Sequence, residues 1–96
     1  MDTLHTIYTI TTIDSRRDHR TVGWFPTLND AQDIVSQNIG DIWEFSYHWV
    51  VIEEVYPGLY PHTPNEYWYH WNTTELKFKP CDKPKMYHNT VNFGIG

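Results

Sequence analysis

The chain has 96 residues, a formal net charge of −5 and one cysteine. This length fits a single domain over residues 1–96, and the acidic balance argues against binding along a nucleic-acid backbone, which requires a basic face. The lone cysteine excludes an internal disulfide and a zinc site made of paired cysteines, and it suits a reducing compartment.

The N-terminal stretch MDTLHTIYTITT has no basic segment followed by a long apolar one, and no apolar run in the chain approaches 18 residues. The sequence therefore predicts neither a signal peptide nor a membrane-spanning segment. We expect a cytoplasmic protein without a membrane partner.

The first part of the chain is typical of a β-hairpin. Residues 4–13 are rich in β-branched and aromatic side chains, which predicts a strand. The charged stretch DSRRDHR at 14–20 is a predicted hairpin loop, and TVGWF at 21–25 returns as the second strand. Gly23 in that strand indicates a bulge or a close backbone approach.

The segment FPTLNDAQDIVSQNIG predicts a helix over residues 27–38. Thr27 is the expected N-cap, and the acidic Asp30 lies three positions later, near the positive end of the helix dipole. Asn38 and Gly40 can end the helix in left-handed geometry. One apolar stripe follows the helical spacing: Leu28, Ala31, Ile34 and Val35.

The next segment, DIWEFSYHWVVIEEV at 41–55, predicts a strand with an aromatic face. Val50 and Ile52 add apolar side chains on the opposite face, so this strand is expected to be central in the sheet or covered on both sides. The alternating aromatic face consists of Trp43, Phe45, Tyr47, Trp49 and Val51.

The remaining elements are short. The proline-rich stretch at 57–65 predicts a loop, EYWYHW at 66–71 a strand, NTTE a turn and LKFKP at 76–80 a final partner strand. The apolar, glycine-ended segment MYHNTVNFGIG closes the chain, and a tail of this composition is expected to dock on the domain or on a partner.

The resulting order, β-β-α-β-β-β, predicts an α+β fold in which one main helix packs on one face of an antiparallel sheet of four to five strands. One helix cannot cover both faces. The second aromatic face must then meet solvent, a ligand or another subunit, and we predict a homodimer or a higher homo-oligomer through it.

The sequence recommends no catalytic chemistry. The six histidines show no metal-ligand spacing. Cys81 precedes Asp82, whose negative charge disfavours a reactive thiolate. Glu53 and Glu54 point to opposite faces of a strand, which is poor geometry for a carboxylate pair. We therefore expect a protein that is not an enzyme and has neither a cofactor nor a metal.

The most informative cluster is basic. Arg16, Arg17 and Arg20 lie within five positions, and no other lysine or arginine occurs before position 77. Arginine holds phosphate through a planar fork of donors. Trp24 and Phe25 follow closely and can stack on a base or ribose. This pattern predicts a site for a small anionic nucleotide.

An alternative reading remains open, since Asp14 and Asp18 are interleaved with the arginines. On this reading the loop is a solvated turn whose ion pairs contribute little to stability. Asn92, near the C-terminus, is a second candidate ligand-binding residue because its amide offers two donors and one acceptor. A C-terminal strand is the alternative interpretation there.

Four stretches together suggest a family: GWFPTLNDAQDIVSQNIGDIWE, VVIEEVYPGLYP, EYWYHWN and VNFGIG. With them the chain resembles the phage Thoeris anti-defence sponge proteins over nearly its whole length. This resemblance implies a symmetric oligomer in the host bacterial cytoplasm that sequesters a cyclic ADP-ribose-type signal in pockets between subunits, without catalysis. It assigns no individual pocket residue.

Two functions follow as expectations. The first is a phage-type anti-defence protein that binds and sequesters a small nucleotide immune signal. The second is a protein-binding inhibitor of a host defence complex, of the anti-CRISPR kind, acting through the aromatic and acidic surface.

Overall fold

A computed structural model of the chain describes residues 6–14, 16, 18–37, 47–56, 65–90 and 93. The described residues form five strands, one α-helix and a short 3₁₀-helix at Lys85–Tyr87. The strands and the α-helix are β1 (Ile7–Asp14), β2 (His19–Phe25), α1 (Leu28–Gln37), β3 (Tyr47–Val55), β4 (Glu66–Asn72) and β5 (Lys77–Cys81).

The sheet has the strand order β2-β1-β3-β4-β5, and each neighbouring pair is antiparallel. The helix packs against one face. The predicted α+β fold with a four- to five-stranded antiparallel sheet and one helix is therefore confirmed. β2 and β5 are the two edges, and β3 is the central strand.

The hairpin of β1 and β2 contains the bulge that the glycine indicated. Ile10 pairs with Gly23, but Thr11 pairs with Thr21, so Val22 is an extra residue on β2. A Cβ added at Gly23 would have no neighbouring atom within 4 Å. The glycine therefore accompanies a bulge and does not mark a close backbone approach.

The helix begins as predicted. The Thr27 hydroxyl accepts a hydrogen bond from the Asp30 backbone N–H at 3.2 Å, which satisfies one of the free donors of the first turn. The apolar stripe faces the sheet, with Ala31 and Val35 fully buried. The predicted helix end at Asn38 and Gly40 lies outside the described residues.

The sheet has two differently covered faces. On the helix face, the helix residues Ala31 and Val35 pack on side chains from four strands. The buried strand residues of this helix face are Ile10, Val50, Ile52, Tyr69 and Phe78.

The second face is covered by the C-terminal part of the chain. Tyr87 and Phe93 pack on Ile13, Val51 and Trp68, with Trp49 at the margin. β3 is thus apolar and covered on both sides, as its sequence predicted. The docking expected of the C-terminal segment is confirmed at Phe93.

This cover changes the argument for a dimer. From the sequence, only the helix was expected to cover the sheet, so the second face was predicted to contact a ligand, solvent or another subunit. The chain itself supplies Tyr87 and Phe93 there. The homodimer stays a prediction, and its interface must lie elsewhere or include this segment.

Several predicted features lie outside the described residues. They are Leu4 of the first strand, residues 41–46 of the third strand with Trp43 and Phe45, most of the proline-rich loop, and the chain after Thr90 except Phe93.

The turn between β4 and β5 contains a strained residue. Leu76 has a φ of 56°, in the left-handed region that side chains with a Cβ disfavour. Its backbone N–H donates to the Asn72 carbonyl at 2.8 Å, so the turn holds this conformation. The Leu76 side chain is largely exposed and contributes little burial in return.

We predict that Leu76→Gly raises the free energy of unfolding by about 1 kcal/mol, because glycine removes a penalty of about 1–2 kcal/mol at the cost of greater freedom in the unfolded chain. Urea denaturation of both proteins checks this. As a control, Thr74→Gly in the same turn should not stabilise, since no positive φ occurs there.

Candidate ligand-binding site

The turn between β1 and β2 is ordered by an aspartate. Asp14 Oδ1 accepts hydrogen bonds from the backbone N–H groups of Arg16, at 2.8 Å, and of Asp18, at 3.0 Å. The Asp14 N–H donates in turn to the Asp18 carbonyl at 3.0 Å. Asp14 therefore holds the backbone N–H groups of two described residues of the turn, Arg16 and Asp18. Arg16 is exposed, and no ion pair involves it among the described residues.

The predicted stacking residues do not gather around the arginines. Arg20 pairs with Thr12 and lies on the helix face, whereas Trp24 pairs with Thr9 on the second face. The β1 partners of these two residues, Thr9 and Thr12, are three positions apart, which corresponds to about 10 Å along the strand. Phe25 packs against the helix-face cluster. Trp24, 60% exposed, is the one predicted stacking residue that the structure leaves open to solvent.

The remaining predicted site residues, Arg17 and Asn92, lie outside the described residues. Asn92 is the covalent neighbour of Phe93, which the structure does place. The location of Phe93 thus indicates which part of the fold the second candidate segment reaches.

Phe93 lies in an aromatic cradle on the second face, which we define as the rings of His19, Trp68 and Tyr87. The Phe93 ring centroid is 5.5 Å from that of His19, 5.6 Å from that of Trp68 and 5.8 Å from that of Tyr87, each in an edge-to-face arrangement. His19 directly follows Asp18 of the arginine turn. The two segments singled out in the sequence, the arginine hairpin and the C-terminus, therefore meet at this cradle.

A buried carboxylate lies beneath the cradle. Glu53 of β3 has an exposed fraction of 0%, and its Oε2 accepts the Phe93 backbone N–H at 3.0 Å. Thr9 of β1 lies directly across from Glu53. The Thr9 hydroxyl is buried, and no hydrogen-bond partner for it is found in the described part of the chain. A desolvated carboxylate favours N–H donors strongly, so this position selects a donor group.

A second carboxylate lies beside the first, on the neighbouring strand β4. Glu66 of β4 pairs with Glu53 in the strand register. Glu66 Oε1 accepts the Trp68 indole N–H at 2.9 Å and forms an ion pair with Lys83 Nζ at 3.0 Å. Lys83 thus compensates the charge of Glu66. Sequence reasoning missed this pair, since residues 13 positions apart become neighbours only through strand register.

The adjacent carboxylate behaves as the sequence predicted. Glu54 points away from Glu53 and accepts hydrogen bonds from the Tyr8 hydroxyl at 3.3 Å and the Asn65 side chain at 2.8 Å. Burial, followed by the Glu54 charge, raises the pKa of Tyr8. Glu54, Tyr8 and Asn65 thus form a local hydrogen-bond network at the end of β3.

A second concave site lies on the helix face, between α1 and the edge strand β5. This groove has a volume of about 340 Å³, and Tyr69 and Phe78 contribute to its lining. Burial raises the pKa of the Tyr69 hydroxyl. Its cations, Lys77 and Lys79, both form ion pairs with Glu75, which compensates one of their two positive charges.

The groove and the arginine hairpin lie at opposite edges of the sheet. Four strand spacings separate these edges, which is about 19 Å. One small ligand cannot touch both within one chain. The groove is therefore a separate candidate, and the cradle is the one that adjoins the predicted arginine cluster.

Neither metal nor thiol chemistry is indicated among the described residues. They contain no group of three or more histidine, cysteine, aspartate or glutamate side chains able to hold a metal ion. Partial burial, followed by the charge of Asp82, raises the pKa of the Cys81 thiol, which disfavours the reactive thiolate.

Comparisons of the chain with protein-family models, with curated proteins and with solved structures give no match. The family resemblance described above therefore stays a prediction. Among the described residues, no helix has the length and apolar character needed to cross a membrane.

We predict that Phe93→Ala lowers the free energy of unfolding by about 3–5 kcal/mol, because it empties the cradle and removes buried ring contacts. Chemical denaturation followed by tryptophan fluorescence measures this, and Trp68 reports on the cradle directly.

Met86→Ala is the matched control. Met86 lies in the same C-terminal segment but is 50% exposed, so its removal should change stability by less than about 1 kcal/mol. Equal effects of the two variants would show that the segment is not anchored through Phe93.

Proposed function

We propose that this protein binds and sequesters a small nucleotide-type anion, of the cyclic ADP-ribose class, without chemical conversion. As a phage-type anti-defence protein it would do so in the cytoplasm of a bacterial host. The observation that carries the proposal is the contact of His19 with Phe93, which brings the arginine hairpin to an aromatic cradle.

The hairpin offers an anion clamp of the required kind. Arg16 is exposed, its backbone N–H donates to Asp14, and it forms no ion pair with another described residue. Its guanidinium can donate two parallel hydrogen bonds to a phosphate. Net acidity elsewhere on the chain disfavours long polyanions, which supports a small ligand over a nucleic acid.

The cradle supplies the other half of a nucleotide site. Aromatic rings stack on bases of any sequence, and the buried carboxylate of Glu53 can accept an N–H from a ligand. These features hold and orient a molecule. They include no activated nucleophile, so the support is for binding.

We predict that Arg16→Ala weakens the binding of ADP-ribose or its cyclic isomers by about 10- to 100-fold, because a hydrogen bond to a charged group contributes about 1.5–3 kcal/mol. Titration calorimetry at fixed ionic strength measures the dissociation constants.

Lys77→Ala is the matched control, since it removes the same charge at the opposite edge of the sheet, beside the groove. A loss with Lys77→Ala and none with Arg16→Ala would transfer the proposal to the groove. Mass spectrometry of the ligand released by heat should recover it unchanged. An altered ligand would mean that the protein is an enzyme.

A protein-binding inhibitor is the second candidate, and the exposure of Trp24 favours it. A tryptophan that is 60% exposed on an edge strand is a suitable anchor for a protein interface. Exposed Asp30 and Asp33 on the helix add an acidic patch. If no nucleotide binds, Trp24→Ala and Asp33→Lys should abolish inhibition of the host complex, whereas Arg16→Ala should leave it intact.

A further inference from the structure

We infer that Phe93 occupies the position of a nucleobase, and that a nucleotide must displace it to bind. The inference rests on the proposed function and specifies its ligand as one that carries an adenine-type base. In the free protein the C-terminal segment is then an internal competitor for the base site.

The ring of Phe93 shows what the cradle accepts. It is a planar aromatic group held by three other rings within 6 Å. Beside it, Trp68 and Tyr87 stack on each other with centroids 5.7 Å apart and an interplanar angle of 18°. A planar base can take the place of the phenyl ring and keep the same ring contacts.

The polar groups beside Phe93 indicate which donors and acceptors the edge of that base must carry. The Phe93 backbone N–H donates to Glu53, so the site accepts one N–H group from its occupant. Thr9, 5% exposed, lies opposite Glu53 on the same face, and its buried hydroxyl has no hydrogen-bond partner among the described residues. A buried hydroxyl without a partner costs free energy, and Phe93 leaves it unsatisfied.

An adenine edge satisfies both groups. Its exocyclic amino group donates an N–H, which Glu53 accepts, and the neighbouring ring nitrogen accepts a hydrogen bond, which Thr9 donates. The backbone N–H of Phe93 provides only the first of these contacts. The base is therefore the better complement to the site.

The phosphate can reach the arginine turn from this position. His19 of the cradle pairs with Ile13, and Arg16 follows Ile13 by three residues. Three residues span at most about 10 Å, and the chain turns within this stretch. A nucleotide with its base in the cradle therefore extends toward the anion clamp.

Competition with Phe93 has a measurable consequence. The apparent dissociation constant of a ligand equals its intrinsic value divided by the fraction of open sites. Phe93→Ala removes the competing ring but keeps the backbone N–H that donates to Glu53, so it relieves the part of the competition that is due to the ring. We expect Phe93→Ala to bind AMP at least tenfold more tightly than the unsubstituted protein does.

AMP and purine riboside 5′-monophosphate, which lacks the amino group, are the probes for titration calorimetry. The unsubstituted protein and Phe93→Ala should both prefer AMP, and Thr9→Val should bind it more weakly. A folded Phe93→Ala that binds AMP no better than the unsubstituted protein, or equal affinity for the two probes, would overturn the inference.

A second measurement uses the unsubstituted chain and so does not depend on a variant that folds. Hydrogen exchange of the Phe93 amide should accelerate when AMP saturates the protein, because the ligand displaces its bond to Glu53. An amide that stays protected in the complex contradicts displacement.

The two proposals fail differently. If ADP-ribose isomers and AMP bind neither the unsubstituted protein nor Phe93→Ala, the proposed function is wrong and this inference falls with it. If binding requires Arg16 but Phe93→Ala brings no gain, the function stands and the base site is elsewhere.

Discussion

The hydrogen bond from the Phe93 N–H to the Glu53 carboxylate is the contact on which the second face of the domain depends. It joins residues 40 positions apart in a fully buried environment. A buried carboxylate without donors would cost several kcal/mol. The C-terminal segment supplies a donor and covers the surrounding apolar side chains at the same time. A ten-residue helix on one face and this segment on the other therefore complete the core of a small domain.

The arginine hairpin illustrates how acidic residues within a basic cluster can serve the backbone. Asp14 accepts the main-chain N–H groups of Arg16 and Asp18, and Arg16 is exposed. In the groove beside β5, by contrast, the carboxylate of Glu75 forms side-chain ion pairs with both Lys77 and Lys79. This contrast is the electrostatic reason for preferring the hairpin edge as the anion site.

The cradle also explains why a small acidic protein carries so many aromatic residues. Trp49, Trp68, Tyr87 and Phe93 form a continuous set of ring contacts on one face. Aromatic side chains bury large areas with few rotatable bonds, so a short segment can be held firmly by a few of them. The proposed exchange of Phe93 for a planar ligand would take place on these same rings.

The sequence by itself determined the features that depend on neighbouring residues. The apolar stripe and the Thr27 cap predicted α1, Gly23 indicated the bulge, and the two apolar sides of β3 predicted its central place. Helical and strand periods are local, so they can be read from consecutive residues.

The tertiary structure alone decided what meets across strands. The bulge places Arg20 and Trp24 on opposite faces, although simple alternation puts them on the same one. Strand register brings Glu53 beside Thr9 and Glu66, and the fold directs Phe93 to that position. Such contacts depend on long-range packing, which no local pattern of residues encodes.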